Sequence, residues 1–162
     1  MRTDSWQRAG RAKRLVVAGA LAGIVAGIVA TAAQLALWGI FSDALPAILF
    51  RDARLAAAIV MGPGVLPPPA TFDVGVMLVA TVVHFALSIV YGVVLAPLVA
   101  VIDARRGLAV GGVFGLALFV LNMYGFTLVF PWFDAARDWI TAAAHVVFGV
   151  TAAAACRYLS AR

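Results

Sequence analysis

Four runs of apolar residues, each long enough to cross a lipid bilayer as a helix, dominate this chain and leave little freedom for any other fold. A hydrocarbon layer takes about 20 residues of α-helix, and residues 15–41, 74–102, 108–130 and 139–159 each meet that length. The runs lack the polar–apolar alternation that a membrane strand requires, so helix is the only spanning form open to them. Composition agrees: 65% of the 162 residues are hydrophobic and 12% charged, against roughly half and a quarter in soluble domains. The expectation is an all-α polytopic membrane protein, a four-helix bundle whose solvent is lipid.

Lysine and arginine set the orientation. Arg2, Arg8, Arg11, Lys13 and Arg14 form a basic tail (1–14). Arg105 and Arg106 lie in the short loop 103–107, and Arg157 and Arg162 lie at the C-terminal end. The opposite side carries only Arg51, Arg54 and Arg137. Both termini are therefore expected in the cytoplasm of a bacterial inner membrane. The net charge of +5 marks membrane orientation and gives no reason to expect nucleic acid. Trp38, Phe41, Phe130, Trp132, Phe133 and Trp139 gather at the other boundary, where an interfacial aromatic belt belongs. Ala30-Thr31-Ala32 looks like a cleavage site, but the apolar run continues to Phe41, beyond the length of a signal core, so the first span is expected to be kept. The lone Cys156 cannot form an internal disulfide.

Between the first two spans, residues 42–73 form the longest connection. Leu45, Ile48, Leu49, Leu55 and Ile59 share one helical face, with Arg51 and Arg54 on another, which predicts a short interfacial helix; an irregular loop is the alternative. Pro67, Pro68 and Pro69 then impose an extended stretch. Residues 131–138 make the second outer connection, where Pro131 stops the third helix and Asp134 is placed to cap the fourth.

The third run resembles the first at an offset of 88 residues. Gly19, Gly23 and Gly27 match Gly107, Gly111 and Gly115, Gln34 matches Asn122, and the second and fourth runs each carry one histidine, His84 and His145. This reads as two parallel helical hairpins repeated about an axis along the membrane normal. Glycines spaced by four line one stripe, where a neighbouring backbone can approach closely. That stripe makes the first helix central to the bundle; a homo-oligomer or larger membrane complex is the competing use of it.

No phosphate loop, paired carboxylate, nucleophile elbow or cysteine cluster is present, and glutamate is absent, so no catalysis is expected. Polar residues inside the spans are few. Gln34, His84, Ser88, Asn122 and His145 form the candidate intramembrane cluster, with Tyr91 on the face of His84 and Ser88. Hydrogen bonding among helices is the simpler reading; a polar site or titrating switch is the other. Two histidines on different helices could hold a haem or metal, but no attachment motif or further ligand accompanies them, so neither metal nor other cofactor is expected.

The chain resembles the YagU-like bacterial inner-membrane proteins in the small-residue first helix (18–39), in His84-Phe85-Ala86-Leu87-Ser88-Ile89-Val90-Tyr91-Gly92, in the glycine-rich third helix through Phe130-Pro131, and in His145 to Gly149. It departs from that family at 42–73, which is shorter and differently composed. The resemblance implies a four-helix membrane protein associated with acid tolerance. Three roles remain open: a non-catalytic structural or stress-related protein, a small oligomeric transporter or channel with an outer polar site, and an accessory subunit of a larger membrane complex.

Overall fold

The computed structural model describes residues 2–160; Arg162 lies outside it, as do the side chains of Arg2 and Arg8, which the orientation argument counted. Helix α1 (Arg2–Phe41) runs unbroken from the basic tail through the first span, so the tail continues the helix and is not a separate segment. After it come α2 (Ala47–Met61), α3 (Val74–Val99), α4 (Ala104–Val120) and α5 (Trp139–Ser160), with no strand among the described residues. Four stretches are long and apolar enough to cross a membrane: Ala9–Phe41, Val74–Val99, Ala104–Leu128 and Trp139–Ser160. Each carries large apolar side chains outward, Val25, Val82, Val113 and Tyr158 among them, a surface that only lipid solvates cheaply.

Aspartates start three of the spanning helices. The Asp73 carboxylate accepts from the Val76 N–H at 2.9 Å, Asp103 from Arg106 at 3.0 Å and Asp138 from Thr141 at 2.8 Å, each satisfying an orphan donor of the first turn. Asp138 therefore caps α5, not Asp134. Asp134 instead pairs with Arg137 inside a 3₁₀ turn, Pro131–Ala136.

α1 packs against α3 and α5, and α5 packs against α1 and α4, so α1 and α5 each lie between two neighbours. Small residues allow this. Ala22, Ala26 and Ala30 of α1 join Ala152, Ala153 and Cys156 of α5 and Leu95, Ala96 and Val99 of α3 in one buried core. The stripe of glycines makes the closest contacts. A Cβ on Gly23 would run into the Ser88 carbonyl of α3, and one on Gly115 into the His145 carbonyl of α5. Gly19 lies likewise against the Gly92 carbonyl, and Gly111 against that of Gly149. In each pair of helices two glycines of the stripe meet backbone, Gly19 and Gly23 in one and Gly111 and Gly115 in the other. Gly27 and Gly107 meet side chains only, those of Ser88 and His84 in one case and Arg157 in the other.

The connection 42–73 does contain a helix, α2, but of the expected leucine and isoleucine face only Leu55 is buried, and alanines make up the rest of the packed surface. Ala53 and Ala57 pack on Val76 and Ala80 of α3, and Leu55 packs with Met123 and Ala136. Alanines seat the helix more closely than bulky residues could, leaving Ile48, Leu49 and Ile59 half-buried and Leu45 exposed. Two polar clasps hold this layer: Arg54 donates to the carbonyls of Val65 and Thr71, and the Trp132 indole donates to Leu55 O at 3.0 Å. The aromatic belt is therefore only partly at the boundary. Phe41 and Trp139 are exposed and meet edge to face at 5.2 Å, whereas Trp38 is 3% exposed and faces protein.

Candidate functional site

Beyond the glycine crossings the helices part, and a cavity of about 150 Å³ opens between them. Gln34, His84, Ser88, Asn122 and His145 all line it, together with Thr31 and Tyr91. The structure thus gathers the five dispersed polar residues of the spans around one space. All of the spanning helices contribute: Gln34 two turns past Gly27 on α1, His84, Ser88 and Tyr91 from one face of α3, His145 from α5. Asn122 comes from a π-helical turn, Leu121–Gly125, that continues α4. Such turns leave the ordinary α-helical bonding pattern and are frequent at functional sites.

The hydrogen bonds have a direction. The Thr141 carbonyl can only accept, so at 2.8 Å His145 Nδ1 carries the proton. His145 Nε2 is then an acceptor and takes an N–H from Asn122 Nδ2 at 3.2 Å. Asn122 Oδ1 in turn accepts from the Tyr91 hydroxyl at 2.8 Å. The chain Tyr91 → Asn122 → His145 → Thr141 therefore crosses three spanning segments with every link matched, donor to acceptor. Gln34 Nε2 reaches Thr141 Oγ1 at 3.4 Å and brings α1 to its end.

His84 and Ser88 stand apart from that chain. His84 Nε2 lies 3.4 Å from both Gly27 O and Thr31 Oγ1, long for a hydrogen bond. Ser88 is 4% exposed and no described residue bonds its hydroxyl. The space beside them is polar and large enough for several water molecules, one needing roughly 10–15 Å³. Among the described residues no three His, Cys, Asp or Glu side chains come together around a metal-sized point, and the Nε2 lone pair of His145 is already occupied by Asn122.

A second and larger chamber, about 440 Å³, lies between α1, α2 and α3. It shares Thr31, Gln34 and His84 with the first, so the two adjoin through these side chains. Its walls are mostly apolar, but Asp52 and Trp38 also line it. Arg51 donates to Asp52 Oδ1 through Nε at 2.8 Å and approaches it through Nη2 at 2.7 Å. Burial pushes the Asp52 carboxyl above its ordinary range, Arg51 pulls the other way, and the charge of Asp138 adds to the rise. The Trp38 indole Nε1 is buried and has no hydrogen-bond partner among the described residues.

Sequence reasoning passed over Thr141 and the chamber residues Trp38 and Asp52. Thr141 had a signal: it precedes His145 by one helical turn, where its carbonyl can meet the ring. Trp38 was read as a lipid-boundary residue because nothing in sequence tells an inward from an outward face at a helix end. Asp52 needed the position of α2. No protein-family model, curated protein or solved structure matches the chain.

Proposed function

We propose that the chain is a non-catalytic, multi-pass protein of a bacterial inner membrane, with both termini cytoplasmic and a structural or stress-related role. The observation that carries this reading is the matched chain from Tyr91 through Asn122 and His145 to Thr141. A nucleophile or proton carrier needs a free lone pair or proton facing its substrate, and this chain commits both ring nitrogens of its histidine, Nδ1 to the Thr141 carbonyl of its own helix and Nε2 to Asn122 of the neighbouring span. Interhelical bonds of this kind are worth about 0.6 kcal/mol on average in a membrane, and a linked series holds the register of three spans. Orientation is supported by the state of the three arginines at the connection end. Arg51 is paired with Asp52, Arg54 clasps two carbonyls, and Arg137 donates to Met123 O at 2.6 Å and Thr127 Oγ1 at 2.8 Å. Their charge is tied up locally, while Arg11, Lys13, Arg14, Arg105 and Arg106 are exposed at the other end. Kinship with the YagU-like proteins belongs to the same proposal and rests on the sequence features alone.

A thermodynamic cycle on Tyr91→Phe and Asn122→Ala, followed by thermal unfolding in mild detergent, tests the structural role. Coupling of about 0.5–1.5 kcal/mol is expected. Strict additivity would mean that the chain does not hold the helices. Reporter fusions at the two ends and at residue 64 test orientation, with the ends expected inside and residue 64 outside.

A small oligomeric transporter is the second reading, favoured by the pair of adjoining chambers. The glycine crossings close the bundle beyond them, where Leu95, Val99 and Cys156 are wholly buried. A path along one protomer would have to part those crossings, so this reading requires solute flux in proteoliposomes that a crossing substitution abolishes.

A further inference from the structure

At the end of the bundle away from the polar cavity, α1 continues past its neighbours. Gly19 lies against Gly92 and Ala96 of the antiparallel α3, so Arg11, two turns back along α1, stands level with the end of α3 at Ala100. Between α1, Ala100 and the end of α5 at Leu159 and Ser160 lies an open groove of about 750 Å³. Arg11, Lys13 and Arg14 line it, and no acidic side chain among the described residues does. All three cations are exposed and within reach of an occupant. The groups that could have neutralised them are already committed. Arg157 donates to the Val99 and Ile102 carbonyls at the end of α3. Asp103, at the start of α4, pairs with Arg106. Among the described residues no acid pairs with Arg11, Lys13 or Arg14.

Beneath the charges the same face turns apolar. Arg11, Arg14, Ala18 and Leu21 follow one another at spacings of three, four and three, which is one stripe of the helix. Leu21 lies about 10 Å from Arg14 along the axis and, like Val17, is exposed. Both residues line the groove, as does Leu159 from α5. A free phosphate would meet the cations and leave this floor uncovered. A zwitterionic head would bring a fourth cation to three. An amphiphile with a net negative head matches both levels, and a basic pocket at the boundary of a span is the kind of site such heads occupy. We infer that the groove holds one anionic phospholipid, its phosphodiester against Arg11, Lys13 and Arg14 and the upper part of an acyl chain along Ala18 and Leu21. The inference is one of binding and needs only that the chain spans a bilayer, so it can fail without the structural role proposed above, and the reverse.

Native mass spectrometry of the full chain, released from mild detergent after titration with phosphatidylglycerol, counts the lipids held per chain. Phosphatidylcholine and inorganic phosphate are titrated in parallel. One phosphatidylglycerol per chain is expected at concentrations where phosphatidylcholine is not retained, and millimolar inorganic phosphate should not displace it. Arg11→Gln and Arg14→Gln should each weaken binding about fivefold. Arg105→Gln removes the same charge from the same end but lies outside the groove, so affinity should be unchanged. Ala100→Trp fills the groove, keeps every charge and should abolish retention. All four positions are exposed, so melting temperatures should stay close to that of the wild type. Equal retention of the two lipids or displacement by inorganic phosphate would overturn the inference. So would equal losses in Arg14→Gln and Arg105→Gln, which would mean bulk charge alone, or wild-type affinity in Ala100→Trp. Should Ala100→Trp fail to fold, the contrast between Arg14→Gln and Arg105→Gln decides.

Discussion

At the crossing of α1 with α3, Gly23 rests on the carbonyl of Ser88; at the crossing of α4 with α5, Gly115 rests on the carbonyl of His145. The backbones approach in the same way, and the residue whose carbonyl receives the glycine turns its side chain to the central cavity in both. The chemistry then diverges. The His145 ring is bonded at both nitrogens, whereas the Ser88 hydroxyl has no partner among the described residues and the nearby His84 makes only long contacts. Packing and polarity are thus separable in this bundle. Glycine determines how closely the helices approach, and the next side chain decides whether the crossing is also tied by hydrogen bonds.

The largest effect should come from filling either crossing. Gly23→Leu and Gly115→Leu each push a side chain into a backbone carbonyl that cannot move without moving its helix. Overpacking of a well-packed core with side chains that can still shift costs about 1–3 kcal/mol, and here, against backbone, the loss should exceed about 3 kcal/mol and remove the monodisperse peak in size-exclusion chromatography. Val25→Leu and Val113→Leu, on lipid-facing positions of the same helices, should leave the peak intact. Equal tolerance of all four would end the argument that the glycines are there for close approach.

The polar half of the comparison breaks more gently. His145→Gln leaves Asn122 or the Thr141 carbonyl without its partner and should cost about 1–3 kcal/mol in thermal unfolding. His84→Gln, removing contacts at 3.4 Å, and Ser88→Ala, removing an unbonded hydroxyl, should each stay within about 0.5 kcal/mol. If the two histidines prove equally costly, the asymmetry between the crossings is not energetic. Within one stripe the same logic separates neighbours. Gly111→Ala meets the Gly149 backbone and should destabilise by about 1 kcal/mol or more, but Gly107→Ala meets only the flexible Arg157 chain at 3.3 Å and should be neutral to stabilising by about 0.5 kcal/mol, as glycine-to-alanine exchange in a helix usually is.

Much of this was legible beforehand, and for a physical reason. Lipid forces each apolar run into a helix, and the four-residue spacing of Gly19, Gly23 and Gly27 announces a close neighbour whatever that neighbour is. Which glycines of a stripe meet backbone was not legible, because a stripe looks the same after a shift of one turn; the structure puts the tight contacts at Gly19 and Gly23 in α1 but at Gly111 and Gly115 in α4. The gathering of the polar residues could be anticipated from their rarity, since each needs a partner in hydrocarbon. Their hydrogen-bond order could not, because it depends on the π turn that rotates Asn122 between Tyr91 and His145, and no residue type signals such a turn. The seating of α2 is not legible for the opposite reason: close packing on α3 selects Ala53 and Ala57, and of the large apolar residues on the expected face only Leu55 is buried.

The outer ends of the two hairpins offer the finest contrast. Over α4 and α5, Arg137 has several partners and lies 4.4 Å from the centre of the exposed Tyr124 ring. Over α1 and α3, the half-buried Asp52 has Arg51 alone. Because burial raises the Asp52 carboxyl above its ordinary value of 3.8, the folded chain holds that proton more tightly than the unfolded chain does. Stability conferred by the bound proton is complete below pH 3.8 and is lost as the pH rises through the folded-state value. Asp52→Asn keeps an oxygen for Arg51 and abolishes the ionisation, so it should raise the melting temperature at pH 7 by roughly 1–3 °C. In acid, where the wild-type carboxyl is itself neutral, it should change nothing. A gain of the same size at both pH values would assign the effect to packing, and a loss at pH 7 would mean that the charge pair with Arg51 outweighs the cost of burying Asp52.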